Sequence, residues 1–136
     1  MMPSMNRTHT CPCDSQLNYD ACCGRWHQQF LNEQTLGAPS AEALMRSRYS
    51  AYVLDQLPYL LATWHPSTRP DSLAPNDVAL RWLSLEIKDH QQRDESHATV
   101  EFVARSKLAG RAHRMREVSQ FMREHGAWFY LDGEQR

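Results

Sequence analysis

The chain has no run of about 18 apolar residues, the length a helix needs to cross a bilayer, so no membrane span is expected. Its first ten residues hold a single Arg7 and no apolar stretch, and so lack the charged and hydrophobic parts of a secretory signal. The expected location is therefore the cytoplasm, where thiols stay reduced. An excess of charge of one sign is also missing, because 15 basic residues face 16 acidic ones. No overall field draws in a nucleic-acid backbone or an anionic membrane. The local cluster Arg111, Arg114, Arg116 and Arg123 is interrupted by Glu117 and Glu124 and reads as a solvated mixed-charge face. Neither a nucleic-acid nor a membrane partner is expected. Nor is there a G-x-S-x-G, a P-loop, an H-E-x-x-H or a dinucleotide fingerprint, so no catalytic signature argues for an enzyme.

What is present is a chain of 136 residues, 41% hydrophobic and 23% charged, which fits one globular core with a small appendage. All the cysteines fall in one short run, Cys11-Pro12-Cys13 through Ala21-Cys22-Cys23, with the spacing C-x-C-x8-C-C. Two pairs of thiols joined by a short loop can fold back on each other and close a tetrahedron around zinc. Disulfides fit less well, since adjacent Cys22 and Cys23 would be strained and the expected compartment is reducing. Redox chemistry fits less well too, with no C-x-x-C ahead of a helix. Cys11, Cys13, Cys22 and Cys23 are thus the expected ligands of a structural zinc, closed to water and substrate. His27 and His9 lie near enough in sequence to stand in for a cysteine. Tyr19 and Trp26 are candidates to cover the ion, and an exposed Trp26 would suit docking.

The stretch CPCDSQLNYDACCG resembles the SEC-C zinc motif, which also occurs at the tail of the translocation ATPase SecA, where it contacts partner proteins. Asp14 stands where that motif usually has glycine, and Leu17, Asn18 and Asp20 replace the lysines around its tyrosine. LMRSRYSAYV from Leu44 to Val53, YLLATWHPSTRP from Tyr59 to Pro70 and FMREHGAWFYLDG from Phe121 to Gly133 resemble the YchJ-like family of bacterial proteins of unknown function. The resemblance implies an α+β fold: a cone-shaped domain like nuclear transport factor two (cystatin-like), with a curved antiparallel sheet packed on helices, preceded by the zinc knuckle. The expected organisation is a tail and knuckle over residues 1–27, a linker over 28–39 and the cone over 40–136.

Within the cone, Ser40 is placed to cap a helix whose face carries Leu44, Met45, Arg48, Tyr49, Tyr52 and Val53. Pro58 suits the first turn of a second helix with Tyr59, Leu60, Leu61 and Trp64 on its apolar side. Pro66, Pro70 and Pro75 make His65 to Asp77 a loop. Leu83, Leu85 and Ile87, then Val100, Phe102 and Ala104, alternate as strands do, and Trp128 to Asp132 reads as a last strand. Between Ala112 and His125, Met115, Val118 and Met122 recur at helical spacing, which alone favours a helix, whereas the family resemblance implies a long curved strand there.

Two readings of function follow. In the first, the knuckle docks a protein partner and the cone is a scaffold. In the second, the cone holds a cavity for a small anionic ligand, either as a binding protein or as an enzyme, with Arg46, Arg48, Tyr49, Tyr52, Trp64 and His65 as lining candidates. Arg48 on an inward helix face needs an anionic partner, expected to be Glu101, Glu117 or a bound ligand. His65 beside a carboxylate would suit a general acid or base. The knuckle is expected to depend on the ion, and the cone to fold without it.

Overall fold

The computed structural model describes residues 9–136. The opening residues weighed for a signal, up to residue 8, lie outside that range. A single 3-10 turn, Tyr19–Ala21, leads into helix α1 (Cys23–Glu33), followed by α2 (Ala41–Val53) and α3 (Leu57–Ala62). Four strands complete the chain: β1 (Leu80–Gln92), β2 (His97–Leu108), β3 (Arg111–Glu124) and β4 (Ala127–Gln135). They form one antiparallel sheet in the order β1-β2-β3-β4.

Local chemistry sets the boundaries. The Ser40 hydroxyl accepts from the Ala43 amide at 3.1 Å, satisfying one of the free N–H groups at the start of α2. Pro58 sits in the first turn of α3, where no amide hydrogen is required. β2 and β3 are joined by Ala109-Gly110 (φ 51° and 82°), and β3 and β4 by His125-Gly126 (φ 53° and 80°). Two consecutive positive φ values match the twist of a tight hairpin, and glycine carries the second without strain. Register shifts at Trp82/Ser84, Ile87/Asp89 and Gln120/Phe121 bend the sheet.

The concave face of the sheet presents Leu85, Val100, Phe102, Ala104, Phe121 and Trp128 to Leu44, Met45 and Tyr49 of α2. A second cluster, Ala51, Tyr59 and Leu60, is covered by Trp26, Phe30 and Tyr52. This contact corrects the expected linker. α1 runs through residues 28–33, because Phe30 one turn beyond Trp26 gives it an apolar edge against α3, and it ends at Gln34 in the left-handed conformation (φ 60°). Residues 112–124 form a strand, so the helical spacing of Met115, Val118 and Met122 does not describe a helix.

Candidate metal centre and cone cavity

The four thiols expected to hold a metal come together. Cys11, Cys13, Cys22 and Cys23 are all buried, and their Sγ atoms lie within 4.8 Å of one another. A tetrahedral ion with zinc–sulfur bonds of about 2.3 Å needs sulfurs about 3.8 Å apart. Cys13 Sγ and Cys22 Sγ are already at 3.6 Å. The donor set therefore fits a divalent, thiophilic ion. The crowding also has an electrostatic signature. Hydrogen bonds from the Cys11 and Cys23 thiols hold Cys13 well below the usual thiol range, and hydrogen bonds with Cys11 and Cys13 push Cys23 up. The Cys13 thiolate thus forms easily while Cys22 and Cys23 resist ionisation, an opposition that a dication at the centre removes.

Three contacts fix this cluster on the cone. The Arg46 Nη1 donates to the Cys13 carbonyl at 2.8 Å and reaches Cys13 Sγ at 3.8 Å. Ser50 Oγ lies 3.5 Å from Cys11 Sγ. Asp14, with φ 64°, accepts from the Leu85 amide at 2.9 Å. Aspartate tolerates this left-handed turn better than most residues, and glycine there would supply no carboxylate for β1. The signal for that link was in the sequence, in the departure from the motif's glycine. Gly24 opens α1 beneath Tyr19, and a Cβ there would fall 2.6 Å from the Tyr19 carbonyl.

His27 is not a ligand. Its Nδ1 accepts from the Tyr19 hydroxyl at 2.6 Å and its Nε2 donates to the Ser47 carbonyl at 2.8 Å, so both ring nitrogens are occupied. His9 is exposed and outside the thiol cluster. Tyr19 packs with the cysteines, whereas Trp26 covers the α3 side of the core.

Between α2 and the concave sheet lies a cavity of about 380 Å³. Arg48, Tyr49 and Tyr52 line it, together with Trp82 and Phe102, which sequence reasoning did not assign to a site, and Glu117, which it offered as a partner for Arg48. Arg48 is 4% exposed. Its Nη1 donates to the Leu60 carbonyl at 2.8 Å and to Thr63 Oγ1 at 2.7 Å. Its Cζ lies 5.0 Å from the Trp64 ring centroid and 4.5 Å from that of Tyr130. The expected carboxylate partner is not in place: Glu101 pairs with Arg116, and among the described residues no acidic side chain forms an ion pair with Arg48. Burial pulls the Arg48 pKa down, the direction of an incompletely compensated cation. The Tyr49 phenol is pushed up to about 12 by burial and stays protonated.

The other candidates lie elsewhere. Arg46 serves the thiol cluster and pairs with Glu42 at 3.1 Å. Trp64 stacks edge-on to Tyr130 behind Arg48 and does not line the cavity. His65 lies outside it as well: Nδ1 accepts from the Ser67 amide at 3.1 Å, and Nε2 faces Glu124 at 3.3 Å. It closes the turn after α3, because Pro66 forces the chain away from the helix at that point.

Comparison with known proteins agrees with this architecture. The family model of the YchJ middle domain, described as NTF2-like, matches residues 40–133, and the SEC-C motif matches residues 7–25. The chain belongs to the YchJ-like family. A UPF0225 protein of Bordetella pertussis is 58% identical over 126 residues, covering 93% of this chain and 92% of that relative. A UPF0225 protein of Methylibium petroleiphilum is 57% identical, covering 91% and 87%. The solution structure of a SEC-C motif containing protein from Rhodopseudomonas palustris superposes with a TM-score of 0.76 at 34% identity, covering 91% of this chain and 96% of that one. The crystal structure of a SEC-C motif containing protein from Psychrobacter arcticus gives 0.77 at 30%, covering 94% and 83%. This YchJ-like chain thus has an NTF2-like α+β cone behind a SEC-C cysteine cluster suited to a metal ion. No helix among the described residues is long and apolar enough to cross a membrane.

Proposed function

We propose that the protein acts by binding, with one structural zinc as the staple between its N-terminal segment and the cone, and that it does no chemistry at the metal. The observation that carries this reading is the closed donor set: the four cysteines are between 0% and 8% exposed, and together they supply all the ligands a tetrahedral ion takes. Soft thiolates select zinc over magnesium or calcium. An ion so enclosed has no position for water or substrate and supplies only cross-linking energy. Elemental analysis of protein purified without added metal tests the assignment. One zinc per chain, lost on changing Cys13 to serine, is expected; stoichiometric iron, or no metal at all, would overturn it.

The adaptor reading, in which the knuckle also docks a protein partner, is favoured by the exposure of Leu17 (52%) on its loop and Leu31 (59%) on α1. Leu17 lies between the two cysteine pairs and Leu31 two turns beyond Cys23 on α1, and apolar side chains so open to water fit a contact surface. Affinity capture with intact protein against a Leu17→Asp/Leu31→Asp double variant tests it. Partners retained equally by both would remove the knuckle from the role.

A further inference from the structure

We infer that the cone cavity is a binding site for a small aromatic carboxylic acid that also carries a hydrogen-bond donor, with the carboxylate on Arg48 and the donor on Glu117. This inference is independent of the zinc assignment, since the cavity lies between α2 and the sheet and no cysteine lines it.

The volume, about 380 Å³, falls within the range of about 300–1,000 Å³ common to small-molecule sites. Its walls are mainly apolar and aromatic, with Tyr49, Trp82 and Phe102 around the space and Met45 and Met115 as adaptable filling. Tyr49 and Trp82 meet edge to face at 5.6 Å, which leaves ring edges and flat surfaces for another ring.

The polar groups are few and convergent. Both hydrogen bonds of Arg48 leave from Nη1 and end on neutral oxygens, so the rest of its fork has no hydrogen-bond partner among the described residues. A buried cation left in this state favours an anion, and a carboxylate matches the fork with two parallel bonds. Glu117 lines the same cavity but does not fill that role. Its Oε2 accepts from Ser119 Oγ at 2.6 Å and from the Tyr130 hydroxyl at 3.5 Å. The carboxylate also occupies the space that a side chain at Gly133 would take. Its Oε1 accepts no hydrogen bond among the described residues. Two opposite charges that do not meet, on the walls of one apolar cavity, match a molecule with an anionic end and a donor end. A phenol or an amine supplies the donor.

The test uses the full, zinc-loaded chain and three probes: 4-hydroxybenzoate, benzoate, which lacks the donor, and 4-hydroxybenzamide, which lacks the charge. Methyl NMR of Met45 and Met115, the indole signal of Trp82 and calorimetric titration report binding. The expected result is that 4-hydroxybenzoate shifts these signals and binds at least tenfold more tightly than the amide. Glu117→Gln should weaken 4-hydroxybenzoate several-fold and leave benzoate unchanged. Ala104→Leu, which fills the cavity from β2, should abolish the shifts; a melting curve checks that it folds, and the probe comparison on the unaltered chain stands without it. The inference fails if no probe shifts the cavity signals, if carboxylate and amide bind alike, or if the shifts survive in folded Ala104→Leu.

Discussion

The guanidinium carbon of Arg48 lies 4.5 Å from the centroid of the Tyr130 ring, and the hydroxyl of that tyrosine donates to Glu117. Tyr130 therefore touches both charges, its ring face towards the cation and its hydroxyl towards the carboxylate, and aromatic faces with neutral oxygens supply part of what an ion pair was expected to do for Arg48. Arg48→Met should lower stability by about 2–4 kcal/mol, from the loss of charge-assisted bonds to Leu60 and Thr63 and of the desolvated cation–π contacts. Glu117→Gln, which breaks no ion pair, should change it by less than about 1 kcal/mol. Urea unfolding of both variants and of the double variant checks this, and losses that fail to add would show that the pair is coupled after all.

Gly24 sets how closely Tyr19 approaches the start of α1. A methyl at this position meets a backbone carbonyl, which cannot swing aside as a side-chain tip can. Gly24→Ala should therefore push the Tyr19 turn off α1, destabilise the protein by about 1–3 kcal/mol and loosen the thiol cluster. Competition with a chromophoric chelator is the measurement, and metal affinity equal to that of the unaltered chain would refute it.

How far these sites were legible depends on what each residue does. The cysteines, the Ser40 cap, the Pro58 start and the glycine turns announce themselves because each answers a local backbone or valence requirement. β3 did not. Its inward face carries Met115, Glu117, Ser119 and Phe121, and the two polar members, which line the cavity, break the apolar alternation that marks a strand. The residues that build the candidate site are thus the ones that obscured its strand. α1 was hidden because the edge it packs on the core is short, half-buried Trp26 and Phe30 beside buried His27, while Leu31 and the polar residues around it face water. Trp64 was expected on the apolar side of α3 and His65 as a cavity acid or base, but α3 stops at Ala62 and the turn carries both away.

His27 should act as an acid-sensitive lock between α1 and α2. Burial holds its pKa below the ordinary 6.5, and the ring is neutral, with its proton on Nε2 towards Ser47. Between the folded and unfolded values the unfolded chain binds more protons, so this contribution is fully present above about pH 6.5 and is lost as pH falls from there towards the folded value. Nitrogen-detected imidazole NMR should show a protonated Nε2 and a bare Nδ1, with a midpoint below 6.5. A midpoint at or above 6.5, or the opposite tautomer, would contradict this arrangement.

Removal of the metal is the sharpest test of how the knuckle and cone depend on each other. The sequence alone suggests that a chelator would disorder residues 11–23 and leave the cone untouched, because that segment holds little aliphatic material of its own. The contacts argue for a wider effect. The cysteines share one apolar cluster with Leu44, Tyr49 and Leu85; Arg46 and Ser50 of α2 touch Cys13 and Cys11; and Asp14 holds the Leu85 amide of β1. In short zinc-folded peptides the ion contributes roughly 10–16 kcal/mol, so its loss cannot be absorbed by these few contacts. Chelation should then disorder the knuckle, shift the amide signals of Arg46, Ser50 and Leu85, and lower the melting temperature. The pairing of β2, β3 and β4, which involves no residue of the knuckle, should persist as a local opening would require. Amide hydrogen exchange with and without chelator measures this directly. Protection lost throughout Val100–Arg105 would make the metal a condition of the whole fold, whereas unchanged signals at Arg46, Ser50 and Leu85 would mean that the knuckle and cone are energetically separate.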